Sequence, residues 1–142
     1  MASTSALSRY LPPGEGGYLP YFLLFLSTLA IAHSVVCYVS DPETSLRQYS
    51  VPARPPPSGL CARLYGMKNV YTSLIRAYAA YNISNPQLYA LAMASFLGVV
   101  FLNGTELVVY RTARPKECAV ALIAPTTALL WMSSQRHYYI GV

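Results

Sequence analysis

Four long apolar stretches alternate with short polar segments along this chain. Three of them, residues 20–39, 87–110 and 118–135, are apolar almost throughout. The other, residues 60–81, carries polar side chains at three- and four-residue spacings, which places them on one face of a helix. Each stretch is close to the roughly 20 residues that a helix needs to cross a bilayer. The pattern therefore predicts four transmembrane helices.

The segments between these stretches predict how the helices are connected. The turn 82–86 is short and joins the second and third helices into a central hairpin. The loop 40–59 is rich in proline, which favours extended backbone, and we expect it to be either disordered or docked on a partner. A polar arm, residues 1–19, and a short tail, residues 136–142, flank a single domain of residues 20–135. The predicted fold class is an all-α integral membrane protein, a four-helix bundle around that hairpin.

Composition agrees with a membrane location. Hydrophobic residues make up 54% of the chain and charged residues 11%, against roughly 25% charged residues in a soluble domain. The net charge is +5, but the basic residues are scattered between apolar stretches, which is typical of juxtamembrane charge and not of nucleic-acid binding. For residues 60–81, a helix lying on the membrane surface is an alternative. We expect membrane proteins and membrane lipids as partners, with no nucleic acid and no small-molecule substrate.

The central hairpin carries ionisable groups into the bilayer. Counted from the turn at 1.5 Å per residue, Glu106 lies ~28 Å along its helix, and Arg63 and Lys68 lie ~27 Å and ~20 Å along theirs. This match in depth predicts an ion pair between Glu106 and Arg63 or Lys68 that locks the two helices. Arg76, at only ~8 Å, is predicted to reach the nearby interface as an anchor.

Small residues predict where helices pack closely. Ala90, Ala94 and Gly98 recur every four residues in the third helix, a spacing that lets another helix approach. In the fourth helix Pro125 predicts a kink, and Ala121, Ala124 and Ala128 form a second small-residue face.

Residues suited to chemistry are few. The only histidines are His33 and His137, and His33 is expected to be neutral and bonded to a neighbouring helix. Cys37, Cys61 and Cys118 have no metal or redox spacing and are interpreted as small buried residues. No catalytic, cofactor-binding or metal-ligating set is predicted, so we expect no enzyme activity and no cofactor. An ion or proton pathway past Lys68 and Glu106 is a less favoured alternative.

Basic residues predict the orientation. The two loops on one side carry six of them, against Arg9 and Arg136 on the side of the termini. The positive-inside rule then places these loops in the cytosol, or in the mitochondrial matrix if that is the membrane. The six are Arg47, Arg54, Arg63, Arg111, Arg114 and Lys116.

Part of the chain, residues 60–130, resembles a known family. The residues that carry the resemblance are 62–66, 73–76, 78–81, Ile83, Asn85, Leu88, Tyr89, Glu106, 109–113 and Pro125. Gly66, Asn85, Tyr89, Tyr110 and Arg111 are its main motif positions. On these residues the chain is similar to the ergosterol biosynthetic protein 28 family.

The resemblance implies a function as well as a fold. It implies a non-catalytic scaffold of the endoplasmic reticulum that tethers the sterol C-4 methyl oxidase, the decarboxylating 3β-hydroxysteroid dehydrogenase and the 3-keto reductase. Lys68, Asn69 and Leu102 depart from the family pattern, which suggests changed partners. The alternative is a divergent relative that serves as an accessory subunit of a mitochondrial inner-membrane complex, either in the respiratory chain or in ATP synthase.

Overall fold

The computed structural model describes residues 10–141, and these residues form α-helices joined by turns and loops. Four helices are long: α1 (Leu19–Val39), α3 (Gly59–Tyr81), α4 (Pro86–Val108) and α5 (Pro115–Ile140). A short helix, α2 (Pro42–Ser45), and a 3₁₀ helix, Arg47–Tyr49, lie between α1 and α3. The predictions for residues 1–9 and for Val142 lie outside the described part of the chain.

Local sequence signals set where the long helices begin. Prolines in the first turns of α1, α4 and α5 cost no hydrogen bond there, because those N–H groups have no partner inside the helix. The Ser58 side chain accepts a hydrogen bond from the Cys61 N–H and caps α3. The Asn85 side chain caps α4 by accepting from the N–H groups of Gln87 and Leu88. α5 is longer than predicted, since it begins before residue 118 and continues past residue 135 to a left-handed Gly141.

The long helices pack as two pairs. α1 packs along α3 and α4 packs along α5, whereas contacts between the pairs are fewer. The pairs meet in one core cluster that draws side chains from all four long helices, including Leu23, Ala80, Phe96 and Met132. A second cluster of Cys37, Leu46 and Ala62 lies where α1 and α3 meet the loop between them.

Three helices are long and apolar enough to cross a membrane: α1, α4 and α5. The fourth long helix, α3, is of similar length but carries Arg63, Lys68 and Arg76 and is not among these candidates. Three of its polar residues, Asn69, Ser73 and Arg76, face inward and are buried. The described residues are therefore all-helical with three candidate membrane spans, and the predicted fourth span is not confirmed.

The proline-rich loop is docked on its own chain in its first half. The Leu46 side chain is fully buried. The Arg114 N–H donates to the Gln48 carbonyl (2.8 Å) and the Arg114 Nε donates to the Ser50 carbonyl (2.6 Å). The Arg54 side chain donates to the carbonyl of Tyr110. These bonds tie the loop to the turn between α4 and α5.

The small-residue face predicted on α4 does not pack inside the described chain. Ala90, Ala94 and Gly98 are all exposed, and a Cβ added at Gly98 would meet nothing within 4 Å. α4 instead uses Tyr89 and Phe96, which lie on its opposite side, for its buried contacts. Within residues 10–141 no helix packs against this face, so the prediction that it lets another helix approach stays a prediction. The second small-residue face does turn inward at Ala128, and Pro125 is buried within α5.

Candidate functional site

A polar site lies between the two helix pairs, at the inward face of α3. Tyr65, Lys68, Asn69 and Arg76 follow one another along this face at spacings of three, one and seven residues. Asn69 and Arg76 are each 6% exposed, and Tyr65 and Lys68 are half-buried. The predicted polar face of this helix is thus turned into the bundle.

His33 of α1 is held between α3 and the loop. Its Nε2 lies 2.9 Å from the Ser45 carbonyl oxygen, and its Nδ1 lies 3.1 Å from the Asn69 Nδ2. A carbonyl oxygen only accepts, so Nε2 donates to it. Since Asn69 lies on α3, these contacts confirm the prediction that His33 is bonded to a neighbouring helix.

Aromatic residues connect the polar face to the loop. The Tyr65 ring meets the rings of His33 and Tyr49 edge-on, at centroid distances of 5.7 and 5.8 Å. The Gln48 amide donates to the Tyr65 hydroxyl (3.0 Å), and the Tyr49 hydroxyl donates to the Asn103 Oδ1 (2.9 Å). Burial raises the pKa of Tyr49, so its hydroxyl keeps the proton that it donates.

Each of the two inward cations lies against an aromatic ring. The Lys68 Nζ is 3.8 Å from the centroid of the Tyr65 ring, and the Arg76 guanidinium carbon is 3.9 Å from that of Phe96. Arg76 also donates from Nε to the Ser95 hydroxyl (2.9 Å) and from Nη2 to the Ser95 carbonyl (3.3 Å). Contacts with π faces and neutral acceptors thus stabilise these charges.

The predicted role of Arg76 is therefore wrong. An arginine that is 6% exposed and whose guanidinium is bonded to α4 is not an anchor at the membrane interface. Arg76 lies close enough to the turn for its side chain to reach the interface. The side chain instead points between α3 and α4, where it bonds to Ser95. Depth along a helix does not determine that direction.

The predicted charge pair is also wrong. The Glu106 carboxylate accepts a hydrogen bond from the Thr112 hydroxyl in the turn after α4, and Arg63 is exposed. Within residues 10–141 the ion pairs are Arg47–Glu117 (3.8 Å) and Arg114–Glu117 (3.7 Å). The depth match failed because α3 packs chiefly against α1, and therefore equal depth on α3 and α4 does not bring side chains together.

A cavity of about 230 Å³ opens at this polar site. All four long helices line it, and its lining includes His33, Lys68, Asn69 and Arg76 together with apolar side chains. None of the lining residues in the described chain is acidic. Residues 10–141 contain no group of three or more His, Cys, Asp or Glu side chains that could hold a metal ion. The arrangement offers cationic donors beside an apolar wall.

The family-motif positions have structural roles in this fold. Gly66 accepts a hydrogen bond from Ser34 of α1 at its carbonyl (2.9 Å), and Asn85 caps α4. The buried Tyr89 donates from its hydroxyl to the Met132 carbonyl of α5 (2.5 Å). Arg111 adopts a positive φ of 53° in the turn between α4 and α5, next to Tyr110.

Sequence reasoning missed the buried Asn103. It is 0% exposed, and it joins α4 to the loop through Tyr49 and to α5 through the Cys118 thiol, which points to its backbone carbonyl (3.5 Å). The signal was present, because an amide in an apolar run is costly unless it is bonded. Cys37 and Cys118 are buried as interpreted, but Cys61 is exposed, and all three are free.

The sequence of this chain is similar to those of known proteins. Residues 19–130 match the family model described as "Erg28 like protein", from the first residue of α1 into α5. The chain belongs to the ergosterol biosynthetic protein 28 family. It is 36% identical over 129 residues to ergosterol biosynthetic protein 28 of Saccharomyces cerevisiae, covering 89% of this chain and 85% of that protein. No solved structure matches the chain.

Two more relatives carry the same name. Ergosterol biosynthetic protein 28 of Candida albicans is 33% identical over 132 residues, covering 92% of this chain and 94% of that protein. The protein of Gibberella zeae with this name is 27% identical over 169 residues, covering 95% and 97%. The chain is therefore a membrane protein of a family named for ergosterol biosynthesis, and the predicted resemblance is confirmed.

The three positions that the sequence analysis predicts to depart from the family pattern are buried or half-buried. Asn69 is buried and bonds to His33, and the half-buried Lys68 lies over the Tyr65 ring. Leu102 is half-buried and lines a separate small cavity with Tyr49 and Glu106. Any effect of these departures on partners would have to pass through the packing of the helices.

Proposed function

We propose that this chain is a non-catalytic scaffold of the endoplasmic reticulum membrane that holds enzymes of sterol C-4 demethylation together. Membership of the ergosterol biosynthetic protein 28 family supports the sterol pathway, and the names of the relatives refer to ergosterol biosynthesis. None of the relatives reported above is named as a mitochondrial subunit. The observation that carries the scaffold role is an exposed apolar stripe on α3.

This stripe has the spacing of a helix–helix interface. Successive residues of the stripe are separated alternately by four and three positions over the whole of α3. This is the a/d spacing of a heptad repeat. Every one of them is exposed in the described structure. The outward stripe of α3 consists of Leu60, Leu64, Met67, Tyr71, Leu74, Tyr78 and Tyr81.

The stripe supports a fourth membrane span. A helix lying on the surface of the bundle in water would turn its polar face outward, whereas α3 turns Asn69, Ser73 and Arg76 inward and the stripe outward. At 23 residues α3 matches α4 in length and packs along α1. We therefore place α3 across the bilayer, with the stripe facing lipid or a partner helix.

The tyrosines of the stripe favour a partner over lipid. Tyr71 and Tyr78 are 61% and 64% exposed, and their hydroxyls make no hydrogen bond within residues 10–141. Tyr71 lies near the middle of α3, where lipid tails would leave its hydroxyl unsatisfied at a cost of about 1–3 kcal/mol. A partner helix with a hydrogen-bond acceptor would remove this cost.

The proposal is tested by truncating the stripe. The double variant Tyr71→Ala, Tyr78→Ala is expressed in cells that lack the endogenous protein. Because buried interface tyrosines are often worth about 2 kcal/mol or more each, we expect co-purification with the C-4 demethylation enzymes to be lost. We also expect C-4 methyl sterols to accumulate.

The matched control is Phe101→Ala, Ile123→Ala, which truncates exposed side chains of α4 and α5. It is expected to keep both co-purification and the sterol profile. Unchanged co-purification and sterols in the stripe variant would refute the proposed interface. Co-migration of the intact protein with a respiratory complex or ATP synthase, together with unchanged sterols on deletion, would favour the mitochondrial alternative instead.

A further inference from the structure

We propose that the cavity between the two helix pairs binds one anionic amphiphile. Its headgroup, a phosphate or a carboxylate, would lie in the polar part of the cavity, which Lys68 and Arg76 line, and its apolar chain would lie along the rest of the wall. The site is independent of the stripe on α3, because the cavity is lined by the opposite, inward face of that helix.

Both cations keep donors free for such a headgroup. Arg76 uses Nε and Nη2 for Ser95, and its Nη1 makes no hydrogen bond within residues 10–141. The Lys68 ammonium lies over the Tyr65 ring and likewise donates no hydrogen bond within those residues. An ammonium has three donors and a guanidinium five, so each has capacity for an anion.

The charges that line the cavity in the described chain are positive only, which favours binding of an anion. Charged side chains inside a membrane bundle are costly and are usually paired with an opposite charge. Here the cavity lining in the described chain holds Lys68 and Arg76 and no acid, and Glu106 bonds to Thr112 elsewhere. A ring face is worth only about 0.5–2 kcal/mol to a cation, less than a charge-assisted bond to an anion. A bound anion would supply the missing charge.

The rest of the cavity suits an apolar chain. Beside the cations its wall is formed by Leu26, Leu29, Phe96, Val99 and Pro125. A volume of about 230 Å³ is smaller than the roughly 300–1,000 Å³ of sites that enclose a whole ligand. It accommodates a headgroup and the first part of a chain, and the remainder would extend out of the open cavity into the bilayer. This combination selects an amphiphile over a free inorganic anion.

Thermal unfolding of the purified full-length chain in a neutral detergent tests the proposal. Oleate and lysophosphatidic acid are the anionic probes, with oleyl alcohol and lysophosphatidylcholine as uncharged and zwitterionic controls and inorganic phosphate as the headgroup alone. A ligand that binds the folded state raises the melting temperature with the logarithm of its concentration. We expect this logarithmic stabilisation from one or both anionic probes and none from the other three.

Three variants locate the site. Lys68→Gln removes one charge, and Arg76→Lys keeps the charge but loses the planar fork that matches a phosphate or carboxylate. Each is expected to weaken binding of the anionic probe about tenfold or more. Arg63→Gln, which removes an exposed cation of the same helix, is expected to bind as the wild type does. Native mass spectrometry of the wild type is expected to show one anionic probe per chain, and this readout does not require any variant to fold.

Several results would overturn the proposal. These are equal stabilisation by oleate and oleyl alcohol, stabilisation by inorganic phosphate alone, or equal loss of binding in Lys68→Gln and Arg63→Gln. The absence of a one-to-one complex with either anionic probe would do the same. Stabilisation by oleate only, or by lysophosphatidic acid only, would support the site and identify the headgroup as a carboxylate or a phosphate.

Discussion

Gly66 allows α1 and α3 to approach each other. A Cβ at this position would lie 3.1 Å from the Cβ of Cys37 and 3.1 Å from the Tyr38 ring. We expect Gly66→Val to lower the free energy of unfolding by about 1–3 kcal/mol, because the larger side chain forces the two helices apart. Thermal denaturation in detergent, followed by circular dichroism, measures the loss.

The same substitution at Gly98 is the control. A Cβ there meets no atom within 4 Å, and glycine is a poor helix former. Gly98→Val should therefore leave stability within about 0.5 kcal/mol of the wild type. If both variants lose the same stability, a general effect of valine in these helices is responsible and the close approach at Gly66 is not.

Single residues show which part of the site could be predicted. The bonding of His33 to a neighbouring helix could be predicted because a lone histidine in an apolar run needs hydrogen-bond partners that any neighbouring helix can supply. The partners of Arg76 and Glu106 could not. Residue number fixes how deep a side chain lies, but tertiary packing fixes which neighbour it faces, and here α3 faces α1 more than α4.

At the scale of elements, the loop between α1 and α3 depends on Arg114. The Arg114 Nε donates to the Ser50 carbonyl, and its Nη1 lies 3.7 Å from the Glu117 carboxylate. Arg114→Ala removes both contacts, and we expect the loop to open more easily by about 1–2 kcal/mol. Limited trypsin digestion should then cut after Arg47 about five- to thirtyfold faster, whereas the bond after Arg54 precedes Pro55 and is not a trypsin site.

Lys116→Ala provides the comparison for this experiment. Lys116 is an exposed cation one turn or less from Arg114 and makes no side-chain hydrogen bond within residues 10–141. Its removal should leave cleavage in the loop at the wild-type rate. Equal acceleration in the two variants would show that loss of positive charge, and not loss of the contacts to Ser50 and Glu117, opens the loop.

Helices and loop differ in how much of them the sequence predicts. The long helices begin close to the predicted positions because prolines and polar caps mark their first turns. For the docked loop, the sequence predicts either disorder or docking on a partner and does not decide between them. It is held largely through backbone carbonyls, such as those of Gln48 and Ser50, and any residue type supplies such a carbonyl.

At the scale of the whole molecule, the two helix pairs explain why the polar site lies where it does. Each pair buries its own seam, and the pairs share one core cluster that includes Leu23 and Met132. Some inward side chains of α3 are packed into neither of these helix–helix contacts. They line the cavity, and Lys68 and Arg76 are among them. The cavity thus follows from packing two pairs together, and no single helix pattern could predict it.

The number of spans decides where the chain ends lie. If α3 crosses the bilayer, the chain has four spans, and the start of α1 and the end of α5 lie on the same side. With three spans they would lie on opposite sides. Six basic residues lie in the two loops or in the first turns of the helices that follow them, against Arg9 and Arg136 near the termini, and the positive-inside rule therefore predicts the loops in the cytosol and the termini in the lumen.

Protease protection in sealed microsomes measures this arrangement. An epitope tag at residue 142 and, separately, a tag before residue 1 should both be protected until detergent is added. A tag inserted between residues 52 and 56, in the exposed part of the loop, should be digested at once. Protection of only one terminal tag would mean that α3 does not cross the bilayer. The outward stripe of α3 would then lie along the membrane surface, where it could not meet a partner's transmembrane helix.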